Sequence, residues 1–360
     1  EAWTPTDSIG WIKMMAWDLG GNWRNELLRL QLTQKLSSQQ IAEFIPPYPG
    51  DAPMLLPDLS KLYADLQGEA TRLAAIAPAN LPEGAGSNNW VVNGTKTVTG
   101  KPLLANDPHL ALSAPAIWYF AHLSAPGLNV IGATLPGVPN IVLGRNDRIA
   151  WGFTNTNPDV QDLFVEKLDA ANPVQYMSPT GSLAFKIINE TIKVKNKPDV
   201  NLTVRLSRHG PIVSDVSAPV GAATPKGYAI AFQWTALRDD DLSVQSGLKM
   251  NRANNWADFL KAARDFHSPQ QNMVYADIDG NIGFVAPGRI PVRKAANPIK
   301  GYAPSPGWDA LYDWENFIPF EQLPQQYNPA SGQVVTANHK ITPPGYKHHI
   351  TNEWFPPYRS

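Results

Sequence analysis

From Ala77 to Gly86 the chain reads Ala-Pro-Ala-Asn-Leu-Pro-Glu-Gly-Ala-Gly, small residues and two prolines with no apolar anchor. Proline removes a backbone donor and glycine raises the entropic cost of ordering, so neither helix nor strand is expected here. The stretch reads as an exposed, easily cut linker, and the sequence on its two sides has different periods.

The side before the linker is helical. Thr4 can cap a first helix, Pro5 suits its first turn, Asp7 completes a capping-box-like pattern, and Ile9, Ile12, Met15 and Ala16 recur along it. After Gly20-Gly21 a second helix is expected from about Trp23 to Leu36, with Ser37-Ser38 starting a further short one. Prolines at 46, 47, 49, 53 and 57 exclude regular structure between Ile45 and Pro57, and a helical pattern resumes from Leu59 to about Ile76.

The side after the linker is strands and turns. Trp90-Val91-Val92, a turn at Asn93-Gly94 and Leu103-Leu104-Ala105 open it. Strand-like runs follow at Trp118–Phe120, Val130–Gly132, Ile141–Leu143, Ile149–Gly152, Leu163–Val165, Ile192–Val194, Leu202–Val204 and Tyr228–Ile230. One helix interrupts them, opened by Asn255 and carrying Trp256, Phe259, Leu260 and Ala263. Met273–Asp277, a turn at Asp279-Gly280 and Ile282–Val285 form the clearest hairpin. Helices first and strands second fit an α+β layered fold, and no internal repeat argues for a solenoid or propeller.

Bulk properties narrow the function classes. Lys+Arg 30 against Asp+Glu 31 leaves a net charge of -1, which removes the electrostatic argument for nucleic acid or an anionic membrane as the main partner. Cysteine is absent, so thiolate catalysis, zinc–thiolate sites and disulfides are excluded. No run of about 18 apolar residues argues for a membrane span. The sequence opens on Glu1-Ala2-Trp3 with no apolar signal region, so export is neither shown nor excluded by these residues.

No Gly-x-Ser-x-Gly elbow surrounds Ser87, and the residues by themselves support an α+β protein with a scissile-looking linker. The linker, however, ends in Gly86-Ser87-Asn88-Asn89-Trp90-Val91-Val92 and leads to Leu104-Ala105-Asn106-Asp107-Pro108-His109. Then come Gly132–Pro139, Trp151-Gly152-Phe153-Thr154-Asn155, Arg208-His209-Gly210-Pro211, Tyr275–Gly283, Ser331-Gly332 and Thr336-Ala337-Asn338. In this order the ensemble resembles the start of the β chain of penicillin acylases and the related acyl-homoserine-lactone and cephalosporin acylases, N-terminal-nucleophile hydrolases made as precursors.

The resemblance implies a four-layer αββα sandwich, present in part. Residues 1–76 would be the C-terminal part of the α-chain region, 77–86 the spacer, and 87–360 the N-terminal part of the β-chain region. Family precursors are about twice this length, so further parts of both regions are expected outside this sequence, and the fragment by itself is expected to fold without necessarily being active. Autocatalytic cleavage before Ser87 would convert a zymogen into associated α and β chains. Ser87 would then use its own α-amine as base, since that group titrates near neutrality. The backbone N–H of Asn155 and the side-chain amide of Asn338 would receive the oxyanion, His109 would contact the nucleophile's surroundings and as a neutral ring could bridge the amine and hydroxyl, and Arg359 would orient the oxyanion asparagine.

Several members of the family bind calcium, and the matching positions are Glu26, Asp159, Asp162 and the carbonyls of Gln161 and Pro291. The family's downstream aspartate would fall within Tyr346–Thr351, which contains no carboxylate. His339, His348 and His349 match no structural zinc spacing. Trp17 and Trp23 read as core or as walls of an acyl pocket. The implied substrate is a small-molecule amide, penicillin-like or an N-acyl-homoserine lactone, with roles in antibiotic metabolism or quorum quenching and a periplasmic or secreted location. The competing readings are a non-catalytic carbohydrate- or peptide-binding module and an inactive truncated homologue.

Overall fold

Local signals in the first segment set its helices. Asp7 accepts hydrogen bonds from the Thr4 N–H at 2.6 Å and the Thr4 hydroxyl at 2.7 Å, which fixes the start of α1, Pro5–Leu19. Helix α2, Asn22–Leu32, follows the Gly20-Gly21 break and stops short of the expected Leu36, its last turn closed by Thr33 N–H on the Arg29 carbonyl. Ser37 and Gln40 exchange reciprocal bonds at 3.2 and 2.9 Å to open α3, Ser38–Phe44. The computed structural model describes residues 2–33, 35–59, 86–110 and 112–355. The helix expected from Leu59 to Ile76 and the linker up to Ala85 therefore lie outside the described residues, apart from Leu59.

The strands that position the site are β1 (Gly86–Val92), β2 (Leu103–His109), β3 (Tyr119–Ala125), β4 (Leu128–Thr134), β5 (Leu143–Asn146), β6 (Ile149–Asn155) and β7 (Gln161–Lys167). They continue as β8 (Tyr228–Trp234), β9 (Gln271–Asp277), β10 (Ile282–Val285), β11 (Pro291–Arg293), β12 (Ser305–Pro306), β13 (Gln325–Tyr327) and β14 (Gln333–Thr336). Between β8 and β9 run α4, Ser243–Met250, and α5, Trp256–Ala263, the latter capped by Asn255 accepting from the Asp258 N–H at 2.9 Å.

Seven strands form one antiparallel sheet in the order β13-β10-β9-β6-β5-β4-β3. A second sheet has the order β2-β1-β14, so the strand that opens on Ser87 is central in it. The two sheets pack face to face through Val91, Leu104 and Val334 on one side and Val274, Ala276, Ile282 and Phe284 on the other. Helices α4 and α5 cover the opposite face of the large sheet, where Met250, Phe259 and Ala262 meet Trp151, Met273 and Tyr275. Helix, sheet, sheet are thus three layers in register. Trp90, Leu103 and Val335 stand exposed on the outer face of the small sheet, where the fourth layer of an αββα sandwich would lie.

The first segment is bound into the same body. Trp23 and Leu27 of α2 pack with Leu163 of β7 and Ile230, Phe232 and Trp234 of β8 in a common core. Trp17 joins this group, with ring centroids 6.0 Å from both Trp23 and Trp234. Trp23 is buried in this core, and Trp17 is half-buried against it.

Candidate active site

Strand alternation places Ser87. Along β1, Ser87, Asn89 and Val91 are buried while their neighbours are more exposed, so the serine faces inward on the same line as the intersheet core. Ser87 is 6% exposed, and its backbone N–H donates to the side-chain oxygen of Asn338 at 2.7 Å. Asn338 sits just past the end of β14 with φ +65, a left-handed conformation that asparagine tolerates better than most residues. Its side-chain nitrogen donates to the carbonyl of Asn155 at 3.0 Å. Ser87, Asn155 and Asn338 are therefore brought together.

The backbone of Asn155 points into this group for a reason of register. Asn155 pairs with Gln271, and one step outward the Thr156 N–H bonds the Gln270 carbonyl at 3.3 Å. That pattern makes Asn155–Gln271 a non-hydrogen-bonded pair, so the N–H and C=O of Asn155 point away from β9. On its other side β6 pairs with β5 only at Trp151 and Ala150, so Asn155 has run past the last rung among the described strands. Its side chain is used elsewhere, donating to the Leu19 carbonyl at 2.8 Å at the end of α1.

Four residues not singled out for a role in the sequence, Asn106, Thr154, Asn272 and Thr336, hold this corner. Asn106 of β2 takes the Phe153 N–H at 3.0 Å and donates to the Phe153 carbonyl at 2.9 Å, locking β2 to β6. A Cβ on Gly152 would come within 2.7 Å of the Asn106 side chain, which explains glycine between Trp151 and Phe153. Thr154 donates to the Thr336 hydroxyl at 3.0 Å, and Asn272 donates to Thr154 at 3.2 Å. Their signal in the sequence is polar residues recurring inside otherwise apolar strands.

His109 requires a correction. It pairs with Gly86, whereas Ser87 pairs with Pro108, so period-two alternation puts the imidazole on the face opposite the serine hydroxyl. The ring is 41% exposed and bonds Asp107 at 2.6 Å. It does not bridge the amine and hydroxyl of Ser87 in this arrangement. Arg359 lies outside the described residues.

Ser87 and Asn155 open onto a cleft whose walls include Met15, Trp118, Val142, Phe153, Met250 and Phe266. Such a lining favours an apolar group of a ligand.

The expected metal ligands converge only in part. Glu26 is fully buried, with one carboxylate oxygen accepting from the Leu163 N–H at 3.0 Å and the other without a hydrogen-bond partner. Asp162 gives both oxygens to Arg293, at 2.5 and 2.9 Å, and also accepts from the Trp314 indole at 2.7 Å. Asp159 lies 3.0 Å from Arg293 and accepts from Asn22 at 2.6 Å, and Asn22 also reaches the Gln161 carbonyl at 2.7 Å. Pro291 opens β11 two positions before that arginine. Among the described residues no three His, Cys, Asp or Glu side chains form a ready metal-binding group.

Burial shifts the titration of this cluster. Burial, reinforced by Asp162 and Asp159, pushes the Glu26 carboxyl well above the usual range. Burial also raises the Asp159 carboxyl, against the pull of Arg293. For Arg293, burial works against the charge, but Asp159 and Asp162 outweigh it and raise its pKa. His349 lies in the stretch where the family's aspartate is missing. Burial, then Arg293 and Lys300, push its imidazole down to about 4.

With the geometry established, the fold finds its counterpart among solved structures. The thermostable penicillin G acylase from Alcaligenes faecalis matches with a TM-score of 0.65 and 28% identity, covering 75% of this chain and 47% of that one. The layered α+β sandwich is thus that of the N-terminal-nucleophile hydrolases. The penicillin amidase family model matches residues 1–360, and the chain belongs to that family. An acyl-homoserine lactone acylase QuiP from Pseudomonas aeruginosa is 30% identical over all of this chain and 43% of its own length. The penicillin acylase 2 proenzyme of a Pseudomonas species is 27% identical over all of this chain and 46% of its own length. The chain spans less than half of these relatives.

Proposed function

We propose that the whole protein is an amide hydrolase that forms an acyl-enzyme on Ser87 after cleavage of the Gly86–Ser87 bond. The observation that carries the reading is the Ser87–Asn338 hydrogen bond at 2.7 Å at the head of a central strand, with Asn338 in turn bonded to Asn155. In the uncut chain the Ser87 nitrogen is an amide that donates a proton and cannot accept one. Cleavage turns it into an amine whose ordinary pKa is about 7.7–8.0, able to take the proton of the neighbouring hydroxyl.

The reaction then follows in two halves. The Ser87 oxygen attacks the substrate carbonyl carbon while its proton passes to the α-amine. The Asn155 N–H and the Asn338 side-chain amide receive the negative charge that develops on the carbonyl oxygen, each such donor being worth on the order of 10²–10³ in rate. The substrate C–N bond breaks, the leaving amine takes the proton, and water hydrolyses the acyl-serine by the same route in reverse. The apolar cleft beside Ser87 supports an apolar acyl group, which suits both fatty-acyl homoserine lactones and arylacetyl amides such as penicillins.

Calcium belongs to the same proposal. Three buried carboxyls, Glu26, Asp159 and Asp162, gather around Arg293, and one Glu26 oxygen has no hydrogen-bond partner. Glu26, Asp159 and the Gln161 carbonyl are the groups that would hold the ion, and its chemistry would be charge neutralisation tying α2 to β7. We further assign the processed protein to the periplasm or extracellular medium, in line with the resemblance.

The test uses the full-length protein. It should split before Ser87 during expression, and terminal sequencing should find Ser87 at the head of the new chain, whereas Ser87→Ala should stay whole. Acid release from a fatty-acyl homoserine lactone and from penicillin G would show which acyl group is preferred. A fully active protein without a Ser87 terminus would overturn the mechanism.

A further inference from the structure

Asn272 stands at an unusual place for an amide. Asn272, Val274 and Ala276 alternate onto the inner face of β9, and the latter two form part of the apolar seam between the sheets. Asn272 is 0% exposed. Burying a side-chain amide costs about 1–3 kcal/mol unless its hydrogen bonds are made. Here its nitrogen donates to the Thr154 hydroxyl at 3.2 Å and to the Asn155 carbonyl at 3.4 Å, and its oxygen accepts from the Thr156 hydroxyl at 3.1 Å. One side chain thus reads three consecutive residues of the strand end that carries the oxyanion-facing peptide.

The contacts extend to the other members of the site. Thr154 passes the link to Thr336, two residues before Asn338. The Asn155 carbonyl accepts from both Asn338, at 3.0 Å, and Asn272. A carbonyl held by two amides cannot turn without breaking both bonds, and the N–H of the same residue turns with it. We infer that Asn272 is a positioning residue for the acyl-transfer reaction: it fixes the Asn155 backbone, and through Thr154 and Thr336 the Asn338 side chain, at the angle at which both point to one oxygen. The inference rests on the function proposed above. Asn272 touches no reacting atom.

The decisive variant is Asn272→Asp in the full-length protein. It keeps size and the acceptor for Thr156, but replaces the donor to Thr154 and Asn155 by an oxygen. Because misplacement by about 1 Å can cost on the order of a hundredfold in rate, kcat should fall about ten- to a hundredfold with KM changed less than about twofold. An alkyl boronic acid, which forms a tetrahedral adduct with serine, should lose affinity in parallel, while the product carboxylic acid binds as before. Asn272→Ser, smaller but still a donor, should retain more activity and serves if the aspartate variant does not accumulate.

Unchanged kcat in both variants, beside an active wild type, overturns the role of Asn272 and leaves the proposed function standing. A proportional rise in KM with a lowered Tm overturns it too, since that outcome means loss of packing alone. A full-length wild type that releases no acid from any acyl amide removes both readings.

Discussion

The backbone N–H of Ser87 and the side-chain oxygen of Asn338 meet at 2.7 Å although 251 positions separate them in the chain. Strand β14 brings them together by pairing with β1 from Asn89–Thr336 to Val92–Gln333. Asn338→Ala should therefore leave the sheet intact and lower kcat by on the order of 10²–10³, with a smaller effect on KM. Steady-state kinetics alongside circular dichroism decides it. A kcat within threefold of wild type would remove Asn338 from the reaction.

The position of His109 gives an opposite expectation. Its ring bonds Asp107 on the face turned away from the serine hydroxyl. His109→Ala should keep kcat/KM within about threefold of wild type, since the ring is turned away from the serine hydroxyl and bonded to Asp107. A drop of several hundredfold would show that the imidazole reaches the site in the processed enzyme.

Calcium should act on stability. If the cluster around Glu26 takes the ion, adding calcium at a hundredfold over its Kd stabilises the native state by about 2.7 kcal/mol, and EDTA reverses the gain. Thermal melts with and without the ion measure this, and Glu26→Gln should abolish the response. Identical melting curves would mean that Arg293, with Asn22 and Trp314, satisfies Asp159 and Asp162 without an ion.

Asp313 predicts a pH dependence. Burial works to raise its carboxyl, but hydrogen bonds from His209 at 3.1 Å and Arg208 at 2.6 and 2.8 Å outweigh it and hold the group down at about 2. A carboxylate with a folded pKa below its unfolded value contributes stability above about pH 4, and that contribution is lost as pH falls toward 2. Asp313→Asn should cost about 1–2 kcal/mol at pH 7, allowing for solvent screening. The difference from wild type should vanish near pH 2 in urea melts. A constant difference across that range would show that ionisation of Asp313 is not what stabilises the contact.

How much of this was legible in the sequence follows from the range of the forces involved. Capping at Thr4 and Asn255 and the hairpin of β9 and β10 are written in a few adjacent residues, and these elements form where expected. Boundaries moved where distant contacts decide them. The strand expected at Ile192–Val194 instead ends at Ile192, having begun at Lys186 to match β-pairing with Val200–Leu206, and the run at Ile141–Leu143 yields a strand only from Leu143. Ser87, Asn155 and Asn338 came from ordered motifs, and their meeting depends on two strand registers that no local pattern encodes. His109 lies on the face away from the Ser87 hydroxyl, which proximity in a motif does not encode. Asn106, Asn272 and Arg293 act through partners far along the chain, so their roles appear only once the strands are side by side.

Trp23 and Leu27 share a core with Leu163, Ile230, Phe232 and Trp234. Scission ahead of Ser87 would therefore change what kind of complex this is without changing what touches what. Two polypeptides would remain joined by a surface that was built as a domain interior, already folded together before there was any second chain to find. Their partnership would owe nothing to encounter in solution, and dilution of the mature protein should not separate them.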